Sequence, residues 1–357
     1  MVNQITAYNR YPEWLSLQLE AIPIKAREYD LFLTLSCREQ WQDFLAGRVK
    51  WGIKGGRLKL TSNNCEIVPS LYYPENAFHI SISEVSSELA WTFSLKTSQF
   101  TFNGSLEALR LGTVTFLESS SRLSATFILA PEEISITDAE GLWKHDITPN
   151  KHGVLERKIA QCLYFSQLQG DISGVQLSFE KMPLEPISIE PRSDYLVPLK
   201  EIISQVYHAQ NNDLFSLAKL TDLDPNQDLA GGSLLGMELS GVQWGGANLY
   251  HINLRGANLT DADLSEANLS YAKLSGADLS GAYLGSANLS YAHLNKASLA
   301  LSNLIGANLE GANLEGANLS NANFSGAIVL GAQFGNNVGM TEEMQQSLRA
   351  RGAKIPE

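Results

Sequence analysis

"GANLEGANLEGANLSNANF", Gly306 to Phe324, spells nearly the same five letters four times. The pattern extends well beyond this stretch. From Leu229 to Phe334 a large apolar residue recurs at every fifth position, through Leu249, Leu254 and Leu259 to Phe324, Val329 and Phe334, for 22 units without a slip. Two positions earlier stands a small residue, usually Ala (Ala257, Ala262, Ala267), and the other three positions are polar or Gly. An α-helix cannot bury this pattern, because residues five apart advance about 140° beyond a full turn and spiral around the axis. An ordinary strand fails too, since its inward positions recur every two residues. A short extended step followed by a corner satisfies it: Ala and Leu, two apart, point to one side, and Gly or another small residue permits the bend.

The stretch "GANLTDADLSEANLSYAKLSGADLS" (256–280) resembles the pentapeptide-repeat family, whose motif is A(D/N)LXX. The resemblance implies a right-handed quadrilateral β-helix with four pentapeptides, hence twenty residues, per coil. Residues twenty apart should then stack, and Asn248, Asn268, Asn288 and Asn308 fall in one such column as an amide ladder would require. Early units are bulkier, with Met237, Val242 and Ile252 in place of Ala and Trp244 in place of Leu, which predicts a wider first coil abutting another element. Exposed edges of such a stack recruit other strands unless they are covered. "GMTEEMQQSLRARGAKIPE" (339–357) reads as a capping helix with Thr341 as N-cap, Glu342 and Glu343 in the first turn, Arg349 and Arg351 in the last, and Gly352 as the stop. Met340, Met344 and Leu348 give it an apolar side.

Upstream, "KMPLEPISIEPRSDYLVP" (181–198) reads as a proline-rich linker, followed by two short helices whose apolar stripes are Leu199, Ile202, Ile203 and Val206, then Leu214, Leu217 and Ala218. They should roof the first coil. A helical preface ending in "LAKLTDLDPNQDL" is similar to the lead-in of pentapeptide proteins from cyanobacteria. Residues 1–185 carry period-two alternation in "AFHISISEV", "AWTFSL", "TVTFLES", "RLSATFILA" and "ISIT", which predicts a sandwich or a strongly curved sheet. Helices are expected at "REQWQDFLAG" and "KHGVLERKIAQCLYFSQL". The expected fold is therefore dominated by β-structure, and its segments are a β-rich, sandwich-like domain with a few helices (1–185), a proline-rich linker and helical N-cap (186–228), the β-helix (229–340) and a capping helix and tail (341–357).

The balance of 26 Lys+Arg against 38 Asp+Glu, net −12, opposes attraction to nucleic acid or anionic lipid. The three cysteines, Cys37, Cys65 and Cys162, are widely spaced and form neither a disulfide framework nor a metal knuckle. The N-terminus lacks a basic region followed by an apolar one, and no apolar run approaches the roughly 20 residues needed to span a bilayer, so a soluble, cytoplasmic protein is expected. The six histidines show no metal-ligand spacing. "WGIKGGRLKL" has a Gly pair without phosphate-loop spacing and reads as a hairpin turn, while Glu132 and Glu133 read as solvated charges. No nucleophile elbow is present. A non-enzyme without cofactor or metal is expected.

The leading expectation is a protein–protein interaction scaffold or regulatory protein whose β-helix presents a rigid surface, with the N-terminal domain as a second binding module or a dimerisation element. It binds protein rather than nucleic acid, with self-assembly left open. Two rivals stand beside it. The family resemblance implies DNA mimicry against a type II topoisomerase, although residues 229–334 hold seven acidic and three basic residues, net −4, without a continuous acidic column. The β-rich domain could instead bind a carbohydrate or small ligand. For the partner surface, twenty-residue coils place His251, Tyr271 and Tyr291 in one outward column and Asn253, Lys273 and His293 in the column two residues on. Aromatic and basic side chains of this kind suit interface hot spots, or they stack on each other as part of coil packing.

Overall fold

The computed structural model describes residues 3–11, 13–73, 76–85, 88–96, 101–143, 147–178 and 195–356. The linker expected from residue 186 lies, up to residue 194, outside the described residues. Contacts divide the chain into two units, one of residues 1–142 and 160–197 and one of residues 143–159 and 198–357.

The first unit is a β-rich sandwich of sheets. Its strands are β1 (Asn3–Asn9), β2 (Leu15–Lys25), β3 (Glu28–Cys37), β4 (Gln40–Phe44), β5 (Gly47–Ile53), β6 (Gly55–Asn63), β7 (Cys65–Pro69), β8 (Phe78–Val85), β9 (Glu88–Leu95), β10 (Gly104–Phe116), β11 (Arg122–Ile128), β12 (Ile134–Glu140) and β13 (Asp171–Ser178). They form a six-stranded sheet in the order β1-β13-β11-β6-β9-β8, a four-stranded sheet β2-β3-β10-β7, and a three-stranded sheet β12-β5-β4. Alternation decides which face is buried: in β3, Tyr29, Leu31, Leu33, Leu35 and Cys37 all point inward. Aromatic rings fill the centre, with Trp14 edge-on to Trp51 at 4.5 Å and Phe78 against Phe93 and Phe102.

Three expectations for this unit change. "REQWQDFLAG" is not a helix: residues 40–44 are strand β4, paired with β5 from Gln40↔Trp51 to Phe44↔Gly47 through a turn in which Leu45 takes φ 56°. Ladder bonds and the buried Phe44 ring outweigh the local helix preference. The Gly pair in "WGIKGGRLKL" does not close a hairpin, because β5 and β6 belong to different sheets. Side chains at Gly55 and Gly56 would collide with the Phe93 carbonyl of β9 and the Phe127 ring of β11, so the two glycines let β6 pack closely between its neighbours in one sheet. Finally, Glu133 is buried rather than solvated, its carboxylate lying against Gly55.

In the second unit, extended steps alternate with corners over 22 pentapeptides. Parallel bridges join residues twenty apart without interruption from Ser233↔Asn253 to Asn318↔Val338. Leu269 N–H donates to the Asn288 carbonyl at 2.7 Å, and Asn288 N–H donates to the Ala267 carbonyl at 2.9 Å. Each coil thus satisfies the backbone of the next. Between steps the chain makes a type II turn, as where Ala257 N–H donates to the Leu254 carbonyl and Gly256 takes φ 64°. Every fifth residue from 231 to 336 has a φ between 51° and 73°, and ten of these 22 corners are not glycine.

The Asn and Asp before each inward Leu act chiefly on these corners. In twelve units the side-chain Oδ1 accepts the backbone N–H two residues on, as Asn288 does from Ser290 at 3.1 Å. The expected amide ladder has one direct rung among the described residues, from Asn268 Nδ2 to Asn248 Oδ1 at 3.3 Å. The side-chain oxygen is already committed to its own turn, which favours local closure over stacking.

Both ends are covered. At the start, α2 (Leu199–His208) and α3 (Leu214–Leu220) bury Leu199, Ile203, Val206, Leu214, Leu217 and Ala218, and Asp213 caps α3 by accepting from Ser216 N–H. A third helix, α1 (Pro149–Leu163), contributes its residues 149–159 to this unit, although the sequence groups all of 1–185 together. Gly153 lies against Ser233, Leu234 and Met237 of the first coil, and Lys151 Nζ donates to the Tyr207 and Ala209 carbonyls at the end of α2. The bulky Met237, Val242, Trp244 and Ile252 of the early units are all buried. At the other end, α4 (Glu342–Ala350) is capped by Thr341 and buries Leu348. Arg351 Nη1 donates to the Phe324 and Ala327 carbonyls, both at 2.9 Å, and Lys354 adds a last bridge to Gln333. Backbone groups that the final coil would leave open are met by the tail.

Candidate functional site

His251, Tyr271 and Tyr291 occupy successive corners of one column, with φ of 57°, 59° and 58°. Because the corners repeat every twenty residues, their rings are brought into register. His251 stacks on Tyr271 at 5.0 Å and 23°, and Tyr271 on Tyr291 at 5.3 Å and 15°. The stack ends on Gly311, where a Cβ would come within 2.5 Å of Tyr291 Cε1. Tyr250, which the spacing did not single out, stands edge-on to His251 at 4.4 Å and to Tyr271 at 5.8 Å. It sits one residue before the corner, so its adjacency to the column was legible.

Asn253, Lys273 and His293 are joined by successive parallel bridges. The structure buries His251, Asn253 and Lys273 and leaves Tyr271, Tyr291 and His293 half-buried, whereas the sequence places all six facing outward. Asn253 Nδ2 donates to Ser233 Oγ at 3.1 Å. Burial, followed by the nearby charge of Arg255, pushes the Lys273 ammonium down to about 8. Burial and then the charge of Glu310 raise the Tyr291 phenol.

On a different wall, Tyr283, Leu301 and Ile305 are 55%, 68% and 46% exposed. These side chains occupy columns that on other coils hold Asn, Asp, Gln, Gly or Ser, a signal present in the sequence once the twenty-residue column is known. A cavity of about 430 Å³ lies between the last coil and α4, lined by Phe324, Thr341, Met344 and Arg351 among others. A second, of about 470 Å³, borders Phe215, Lys219, Asp222, Asp224 and Asp228. Among the described residues no group of three His, Cys, Asp or Glu side chains is placed to hold a metal ion. The three cysteines form no disulfide among the described residues, and burial raises Cys37 strongly and Cys65 to about 11, well away from thiolate reactivity at neutral pH. Among the described residues no helix is long and apolar enough to cross a membrane.

Comparison with known proteins points to the repeats. A family model described as pentapeptide repeats matches in eight copies over residues 245–281, 282–321 and 302–336. No curated protein matches the chain. Among solved structures, the pentapeptide-repeat protein Rfr23 of the cyanobacterium Cyanothece 51142 is 32% identical over 30% of this chain and 90% of its own, with a TM-score of 0.27. A pentapeptide-repeat protein of the Arabidopsis thaliana thylakoid lumen is 33% identical over 34% of this chain and 79% of its own, with a TM-score of 0.25. QnrB1, a plasmid-mediated fluoroquinolone resistance protein, is 19% identical over 32% of this chain and 62% of its own, with a TM-score of 0.28. With the motif matched across 245–336 and about a third of residues shared along most of the length of two such relatives, the chain belongs to the pentapeptide-repeat family.

Proposed function

We propose that the chain is a non-enzymatic protein–protein interaction scaffold or regulatory protein of the cytoplasm, presenting the β-helix wall to a protein partner and using the N-terminal unit as a second binding module. One observation carries this reading. The fold is secured by the inward Ala and Leu columns, the backbone ladder and the Asn or Asp bonds that close corners, which leaves the remaining outward positions free to carry recognition. On two walls those positions hold aromatic, aliphatic and charged residues in place of Gly, Ser and Asn. Rigid walls of this kind order little on binding, so surface complementarity converts efficiently into affinity.

The test is affinity capture with the purified full chain followed by reconstitution from purified components. The proposal expects a stoichiometric protein complex that survives nuclease treatment. Inhibition of gyrase supercoiling by the full chain, with no such complex, would replace it with DNA mimicry. A thermal-shift response of the full chain to a carbohydrate or metabolite panel would assign the N-terminal unit to small-ligand binding.

A further inference from the structure

Residues 241–245, 261–265, 281–285, 301–305 and 321–325 form one wall of the β-helix, stacked by the bridges Gln243↔Asp263, Asp263↔Tyr283, Tyr283↔Asn303 and Asn303↔Asn323. Three residues on it depart from their positions' usual occupants, and each departure gives up something local. Tyr283 stands in the column where Asp263, Asn303 and Asn323 each close the corner through a side-chain oxygen, a bond a phenol cannot make from that position. Leu301 takes φ 61° at a corner where Gly241 and Gly281 stand in the same column, a conformation disfavoured for a branched L-residue. Ile305 replaces the Gly or Ser found at 245, 265, 285 and 325. None is repaid by burial, since all three are about half or more exposed.

Their placement is what makes them a surface. Tyr283 projects from one coil, and Leu301 and Ile305 flank its bridged partner Asn303 on the next, so three large side chains stand on adjacent coils of one wall. The upper border is acidic. Asp263 is the bridged neighbour of Tyr283, and the Asp261 carboxylate lies directly over Gly281, where a Cβ would collide with it. The wall contains no Lys, Arg or His.

We propose that this wall docks a segment of a partner protein that carries Arg or Lys beside large apolar side chains. The apolar trio supplies the anchor, and Asp261 and Asp263 select a cation at its edge. A second copy of the same wall is disfavoured, because parallel two-fold pairing would set Asp against Asp and in neither orientation does the wall offer a Lys, Arg or His to meet the carboxylates. The inference rests on the scaffold reading and names its face and the chemistry of its partner.

The test is selection from a library of random displayed peptides on the immobilised full chain, with fluorescence anisotropy of the selected peptides. The comparison chain carries Tyr283→Asn, Leu301→Gly and Ile305→Ser, each a return to the residue its position usually holds. Its urea midpoint should equal or exceed the parent's, so lost binding cannot come from unfolding. Selected peptides should pair Arg or Lys with Leu, Phe or Trp, and the triple variant should weaken them at least about tenfold. Asp261→Asn with Asp263→Asn should weaken them less and flatten the salt dependence. Binders indifferent to the triple variant would overturn this face and leave the scaffold reading standing. Failure to enrich any binder would count against both. Reversible self-association that disappears in the triple variant would assign the wall to a second copy and overturn the hetero-partner.

Discussion

Gly311 and Gly331 occupy consecutive corners of the column that carries the ring stack, with φ of 65° and 70°, and replacing each with Ala separates backbone strain from contact. At Gly331 a Cβ meets nothing within 4 Å, so only the left-handed backbone is penalised, by roughly 1–2 kcal/mol. At Gly311 the same strain applies, and the Cβ also meets Tyr291 Cε1 at 2.5 Å and Cδ1 at 2.6 Å, almost an ångström inside normal contact. The ring cannot simply move away, because Tyr271 stacks on its other side at 5.3 Å. Overpacking of this kind adds about 1–3 kcal/mol. Gly311→Ala should therefore lose about 2–5 kcal/mol against 1–2 for Gly331→Ala. Tyr291→Ser in the Gly311→Ala background should recover most of the difference. Urea unfolding measures this, the relevant transition being the one that Gly331→Ala also moves. Equal losses at the two glycines, or no recovery on removing the ring, would show that Tyr291 does not rest on Gly311 and would dismantle the stacked column.

Three further outcomes follow from the same geometry. Asn318→Ala removes the acceptor that closes its corner on Ser320 N–H at 3.1 Å and should cost about 0.5–1.5 kcal/mol in the same unfolding assay; no change would mean that the Asx bonds are incidental. Removal of residues 338–357 strips α4 and the Arg351 and Lys354 contacts from the last coil, so the truncated chain should self-associate on size exclusion, and unchanged monodispersity would refute the capping role. Lys273 is held at about 8 in the folded chain against its ordinary 10.5, so the unfolded chain binds more protons between these values and stability should rise with pH across that window. Lys273→Met should flatten the rise, as read from urea midpoints at several pH values, and an identical slope in both proteins would contradict the buried ammonium.

The repeat region was legible because its core residues recur at a fixed interval that neither helix nor strand can bury, and the twenty-residue stacking follows from the family resemblance. The N-terminal unit was legible as β-structure wherever alternation was strong, as in "RLSATFIL" and "AWTFSL". It failed at residues 38–47, where polar residues around Trp41 and Phe44 mimic a helical stripe and only pairing with β5 decides the matter. The helix α1 was found, but its first turns contribute to the repeat unit, which no local pattern could reveal. For the site, spacing correctly aligned the His251, Tyr271 and Tyr291 column. Burial of Lys273 and Asn253 was not legible, since the repeat places both in an outward column. Tyr283, Leu301 and Ile305 were visible as column departures, yet aromatic and basic content drew attention to the other wall.

The constant offset of the bridges bears on how such a chain reaches its folded state. Most β-architectures must close long loops before any strand is rewarded, which slows them and exposes unpaired edges. Here each new pairing closes a loop of the same twenty residues onto a surface already formed, from Ser233 to Val338. Loop closure therefore never becomes costlier as the stack grows. During synthesis a coil can dock as soon as its own twenty residues have emerged, with α2, α3 and the start of α1 already available upstream as a template. The edge that remains open at each moment is one coil wide, and it closes only when the tail arrives.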